Sequence, residues 1–199
     1  MNNVTKKYVI WMATNSCLIS CQNVLSTNSM LTSIFVNPSS LANLNYILKD
    51  VLGQFGGLVY SWKNGKNADK IPLEYITKGG LIQQFGFHLE NASILIKDEN
   101  LILPFLGISS ITKNVSFISI GAVNSKNLNK LSQKNKNIGE LYAKIASINT
   151  ISSSIGMLLG LGIIFFVPSY TLRSYLILPS LSVGSIYSLR KATKIISSI

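Results

Sequence analysis

Hydrophobic positions occur in long uncharged runs separated by short polar stretches, and the alternation typical of strands is absent over most of the chain. The clearest run, residues 145–172, reads IASINTISSSIGMLLGLGIIFFVPSYTL and carries no charge. A helix needs roughly 20 mostly apolar residues to cross a bilayer, so this run is the best candidate span. The alternative is a buried helix of a soluble bundle. Ser152, Gly156 and Gly160 recur every fourth residue, which predicts a face of small side chains for helix packing.

A second apolar segment, residues 174–189, follows a predicted turn and runs into the basic stretch RKATK. It is short for a span and contains Pro179, so it needs support from its neighbours. We expect residues 145–189 to form a hairpin of membrane helices with both basic flanks on one side. The positive-inside rule then predicts that residues 123–144 and the C-terminus face the cytoplasm or its topological equivalent.

The upstream segments are less apolar. Residues 101–123 are long enough to span but contain Lys113 near their centre, which we expect to face protein or water. Residues 79–96 and 41–62 contain several polar side chains, and they fit inside a bundle better than they fit lipid. The pattern predicts an all-α, membrane-embedded bundle of about six helices with two to four spans, forming a single domain over residues 1–199.

Composition agrees with a membrane protein. Only 13% of the residues are charged and 47% are hydrophobic, whereas soluble proteins contain about 25% charged residues. The mean hydropathy is +0.35. The net charge of +11 comes from basic residues that flank apolar segments without interleaved aromatic residues, so we expect a lipid membrane as partner and no nucleic acid.

Candidate catalytic chemistry is sparse. The chain has one histidine and lacks the nucleophile elbow, the Walker loop and the paired cysteines of a zinc site. We therefore expect no enzyme activity, no metal and no cofactor. His88 and Glu90 lie in an otherwise apolar and amide-rich segment, where they form either a pH-sensitive or ligand-binding pair or the solvated end of a helix.

Residues 44–66, LNYILKDVLGQFGGLVYSWKNGK, place Lys49 and Asp50 beside three glycines. A phosphate-binding loop requires a preceding strand and a lysine after the glycines, and neither is present. Asp50 and two of the glycines instead share one helical face. Gly53, Gly56 and Gly57 are therefore predicted to contact a neighbouring helix, with the two charged residues held within that packed region.

The same stretch resembles the signature of the root UV-B sensitive family, in which Leu-Lys-Asp precedes Gly-x-x-Gly, an aromatic-Trp pair and a turn. VTKKYVIW, LSTNSML, FHLEN and NIGELYAKIASINTISSSIGMLLGL match further family segments in the same order. The matched motif positions are Lys49, Asp50, Gly53, Gly56, Trp62, Glu90, Gly121, Asn137, Glu140, Ala143 and Lys144. Gly57 stands where the family usually has Arg, Glu140 where Asp is usual, and Ile145 where an acidic residue is usual. The sequence also stops soon after its last hydrophobic segment, so we expect a short member without the usual C-terminal region.

The resemblance implies a link to UV-B responses and vitamin B6 homeostasis, known in plant members, and possible oligomers with another family member. It implies no established catalytic activity. A vitamin B6 enzyme would need a reactive lysine and a phosphate cup, and the sequence offers a lysine without the cup.

We therefore expect a non-enzymatic integral membrane protein that binds or transports a small solute, or holds a partner, through a polar interior. The candidate functional groups are Lys49, Asp50, His88, Glu90, Glu140 and Lys144. Glu140 and Lys144 are four residues apart on one helical face, and the alternative for this pair is an ordinary surface salt bridge. The alternative for the whole chain is a soluble or peripheral helical adaptor that binds an anionic membrane surface or a protein partner.

Overall fold

A computed structural model describes residues 3–36, 42–133 and 138–197. Within these ranges the long helices are α1 (Asn3–Val36), α2 (Ala42–Asn64), α4 (Pro72–Ala92), α5 (Glu99–Gln133), α6 (Ile138–Phe166) and α8 (Leu178–Ser197). Two single-turn helices, α3 (Asn67–Lys70) and α7 (Tyr170–Leu172), lie in the connections. The described ranges contain no strand, so the all-α prediction is confirmed.

Local sequence explains where several helices begin and end. Pro72 occupies the first turn of α4, where its missing N–H costs no hydrogen bond. Ser169 caps α7, because its side-chain oxygen accepts a hydrogen bond from the backbone N–H of Leu172 at 3.3 Å. A π-helical turn, Arg173–Ile177, then joins α7 to α8.

Helix α1 is central to the bundle. It packs against α6 and α8 and also against α4, whereas α5 packs between α2 and α4. The two helices of the predicted hairpin, α6 and α8, are thus both held by α1. Residues 166–178 connect them through the short turn at α7.

Glycines mark two close contacts between helices, α1 with α6 and α2 with α5. A Cβ atom added at Gly156 of α6 would overlap the carbonyl oxygen of Cys17 on α1, and one at Gly160 would lie 2.8 Å from the Cβ of Val24. On α2, Gly53, Gly56 and Gly57 face Ser110, Ile111, Asn114 and Ile118 of α5. Because these backbones approach so closely, side chains larger than hydrogen do not fit without movement.

Polarity is distributed differently from that of a typical soluble bundle. Among the described residues, as many polar side chains as apolar ones are buried, and many large apolar side chains are exposed. Two of the described helices are long and apolar enough to cross a membrane, over Leu101–Gln133 and Gly139–Phe166. They contain most of the clearest predicted span, residues 145–172, and the upstream segment 101–123. Helix α8, which holds most of the predicted segment 174–189, is not one of the two.

Basic residues gather at one end of the bundle, which we call the basic end. The apolar cluster at this end joins Tyr8 of α1, Tyr75 of α4, Leu131 of α5, Leu141 of α6 and Leu189 of α8. The described basic residues in the helix ends and connections here are Lys6, Lys7, Lys63, Lys66, Lys70, Lys78, Lys126, Lys130, Lys144, Arg190, Lys191 and Lys194.

The opposite end carries little charge. Met30 of α1 packs there with Ile102 and Leu106 of α5. The described charged residues at that end include Lys97, Asp98 and Arg173 in the connections and Lys49 and Asp50 two turns into α2. The basic end also holds three acidic residues, Asp69, Glu74 and Glu140, beside its twelve described basic ones. The chain is thus strongly asymmetric in charge along the bundle axis.

Candidate functional site

Glu90 lies in the interior of the bundle and is the most buried acidic residue among those described, at 2% exposure. Its Oε2 accepts hydrogen bonds from the hydroxyl of Ser26 on α1 at 2.7 Å and from the ammonium of Lys113 on α5 at 2.6 Å. A buried carboxylate is stable only when its charge is paired and hydrogen-bonded. The three residues therefore form one polar centre, which we call the Glu90 centre.

The close approach of α4 and α5 makes this ion pair possible. Gly86 lies one turn before Glu90, and a Cβ atom there would lie 2.7 Å from the Cγ of Lys113. The hydroxyl of Ser109 donates a hydrogen bond to the Gly86 carbonyl at 2.8 Å, which ties the helices together at the same level. The Lys113 ammonium also lies 5.6 Å from the centre of the Phe87 ring, within the range of a cation–π contact.

Lys113 faces protein, which is one of the two environments that its position in an apolar run predicts. Sequence reasoning singled out both Lys113 and Glu90 but did not pair them. The two residues lie on different helices, and helical periodicity gives no information about which helices are neighbours.

His88 does not share this centre. Its Nε2 lies 3.1 Å from the hydroxyl of Ser182 on α8, whereas Glu90 contacts α1 and α5. The structure therefore divides the predicted His88–Glu90 pair into two separate environments.

A second polar centre joins α1, α4 and α8, and sequence reasoning missed it as a unit. The side-chain amide of Gln22 donates to Gln84 Oε1 at 2.5 Å and to the Ser182 hydroxyl at 2.9 Å. Gln84 in turn donates to Ser185 at 3.2 Å, and Ser185 donates to Asn15 Oδ1 at 2.8 Å. We call this set the amide–hydroxyl network.

A third group of polar contacts lies nearer the opposite end. The hydroxyl of Ser29 donates to Asn91 Oδ1 at 2.7 Å, and the Asn91 amide donates to Ser174 at 2.8 Å. Tyr170 of α7 donates its hydroxyl to the Asn91 carbonyl at 2.9 Å. These bonds fasten the connection between α6 and α8 to α1 and α4.

The other charged candidates lie away from these centres. Lys49 is buried and forms an ion pair with Asp50 at 2.9 Å, but the Asp50 side chain is half exposed. Asp50 is thus not enclosed in the packed region that the sequence suggested. Glu140 and Lys144 form an ion pair across one turn of α6, with both side chains exposed. This geometry matches the surface salt bridge that the spacing left open.

Ser152 is half-buried on α6, one turn before Gly156. Asn137, one of the matched motif positions, lies outside the described residues, and so do Lys134 and Lys136.

The described chain is therefore a helical bundle that buries charged and amide-rich contacts among its apolar clusters and exposes many large apolar side chains. The family model for the vitamin B6 photo-protection and homoeostasis domain matches residues 3–198. The protein belongs to this family, the root UV-B sensitive family that its motifs resemble.

Curated relatives include Protein root UVB sensitive 6 of Arabidopsis thaliana, 26% identical over 75% of this chain and 30% of that protein. RUS family member 1 of Dictyostelium discoideum is 24% identical over 82% of this chain and 32% of that protein. Protein root UVB sensitive 3 of Arabidopsis thaliana is 24% identical over 96% of this chain and 44% of that protein. The chain thus spans less than half the length of these relatives. No solved structure matches it.

Proposed function

We propose that this chain is an integral membrane protein that binds a small polar solute in its interior and passes it across the bilayer, without enzyme chemistry of its own. The observation that supports this proposal most strongly is the Glu90 centre, a charged pair enclosed by three helices of a bundle that exposes many large apolar side chains. Ionisable groups inside a membrane bundle are costly, and they usually line a path for ions or solutes.

The outer surface of α6 supports insertion into lipid. Its apolar stretch has a mean hydropathy of 1.7, and only 11% of that stretch is buried in the bundle. Leu158 is 67% exposed, and Phe165 and Phe166 are each 80% exposed. A soluble adaptor would leave this surface in water, whereas a bilayer covers it.

The asymmetry of charge supports one orientation. Basic residues collect at the cytoplasmic ends of membrane helices. We therefore propose that the basic end, with both described chain ends, faces the cytoplasm or its topological equivalent.

The family description supports a vitamin B6-related solute. Exposed apolar residues of α2, including Phe55 at 65% and Trp62 at 92%, also offer a surface for an oligomer with another family member.

Uptake of radiolabelled pyridoxine into vesicles that contain the purified full chain tests the transport proposal. The Glu90→Gln/Lys113→Met double variant removes both charges of the Glu90 centre without leaving one unpaired, so we expect normal insertion and lost uptake. Glu74→Gln/Lys78→Met is the matched control, since that ion pair is exposed at the surface. Pyridoxine uptake no faster than in empty vesicles would contradict the proposal. Uptake by the Glu90→Gln/Lys113→Met variant equal to that of the unsubstituted protein would also contradict it.

A further inference from the structure

A cleft of about 430 Å³ opens between α1, α4, α5 and α6, apart from the Glu90 centre. It exists because α6 is held mainly by α1, while its contacts with α5 are few. Ser20 of α1 and Ser153 of α6 share a hydrogen bond of 2.6 Å in the cleft wall. This volume falls within the range of pockets that bind small molecules.

Two residues that line this cleft, Gln83 and Asn149, each have a side-chain oxygen without a hydrogen-bond partner. Within the described part of the chain, Oε1 of Gln83 and Oδ1 of Asn149 are buried and have no hydrogen-bond partner. The Gln83 side chain is also well enclosed, since the residue is only 6% exposed. A buried amide oxygen without a partner costs free energy, and a bound donor removes that cost once the amide group turns its oxygen toward the cleft.

The remaining lining limits the chemistry of an occupant. The described residues that line the cleft include Asn15, Phe117 and Met157, and they include no charged side chain. A phosphate or carboxylate would therefore be desolvated without a counter-charge, whereas an uncharged molecule with hydroxyl donors would not. Phe117 and Met157 offer the apolar contact that an aromatic ring favours.

We propose that this cleft binds a small solute without net charge, which donates hydrogen bonds to Gln83 and Asn149 and packs a ring against Phe117. The choice of a vitamin B6 compound as probe rests on the proposed function. Among such compounds, the cleft selects the hydroxymethyl form over its phosphate ester.

Calorimetric titration of the purified full chain tests this inference, with pyridoxine and pyridoxal 5′-phosphate as probes. The detergent is zwitterionic and free of hydroxyl groups, because sugar headgroups carry the same donors. We expect saturable pyridoxine binding and at least tenfold weaker binding of the phosphate ester. Gln83→Leu and Asn149→Leu should each weaken pyridoxine binding about tenfold. Gln54→Leu, on the exposed surface of α2, is the matched control and should bind normally.

Absent pyridoxine binding, unchanged affinity in both cleft variants, or tighter binding of the phosphate ester would overturn the inference. Monoolein carries similar hydroxyls on a lipid. Binding of monoolein without pyridoxine would assign the cleft to a lipid headgroup and would also overturn the inference. Thermal unfolding of each variant without ligand separates lost binding from lost folding. This test measures the equilibrium affinity for pyridoxine and its dependence on Gln83, whereas the test of the proposed function measures uptake and its dependence on Glu90. The inference can therefore fail while the proposed function holds, and the reverse.

Discussion

Glu90 of α4 and Lys113 of α5 form an ion pair of 2.6 Å inside the bundle, with only 2% of the first side chain and 18% of the second exposed. Ser26 of α1 donates a hydrogen bond to the same carboxylate oxygen. Each charge therefore depends on the other, because removal of one partner leaves a buried charge without compensation.

Substitution of either partner should destabilise the protein more than substitution of both. Glu90→Gln leaves the buried Lys113 charge unpaired and should lower the free energy of unfolding by about 3 kcal/mol. Lys113→Met should have a similar effect, and the double variant should recover much of the loss. Thermal unfolding in detergent measures these differences, with Glu74→Gln/Lys78→Met as the exposed control. Additive losses in the double variant would show that the two charges are not coupled.

The α1–α6 contact should be more sensitive to a methyl group than an open position on the same helix. Gly156→Ala overlaps the Cys17 backbone and should destabilise the protein by about 1–3 kcal/mol. Gly162→Ala is the matched control, since a Cβ atom there meets nothing within 4 Å. Because alanine has a higher helix propensity than glycine, the Gly162→Ala variant should be as stable as the unsubstituted protein or up to about 1 kcal/mol more stable. Equal melting temperatures for both variants would contradict the described packing of α6 on α1.

Glu140→Gln should change stability by at most a few tenths of a kcal/mol, because its partner Lys144 is exposed and water screens the pair. The same vesicle assay that tests the Glu90 centre should give normal uptake for this variant. A large loss of uptake with normal stability would instead show that this motif position has a direct functional role.

The all-α fold class and the apolar segments could be predicted from the sequence, because hydrophobic runs and helical periodicity are local properties. Periodicity also indicated which face of α2 and of α6 carries the small residues. The helix that each face contacts could not be predicted from the sequence. Lys113, for example, lies 23 residues from Glu90 on another helix. His88 and Glu90 are two residues apart, a spacing that directs side chains to different faces of a helix.

The cleft is a further feature that sequence reasoning could not provide. Gln83 and Asn149 lie on helices that are distant along the chain, and each appears in sequence as an ordinary amide. Their shared position depends on how α1 holds α6 away from α5. Only the packed arrangement distinguishes these amides from those whose oxygen and nitrogen are both hydrogen-bonded, such as Gln84 and Asn91.

Alkaline carbonate extraction of membranes from cells that produce the full chain tests the central claim most directly. The account predicts that the protein stays in the membrane pellet, because lipid covers the exposed apolar side chains of α6. Release of the protein into the soluble fraction, together with a peripheral marker protein, would contradict the account.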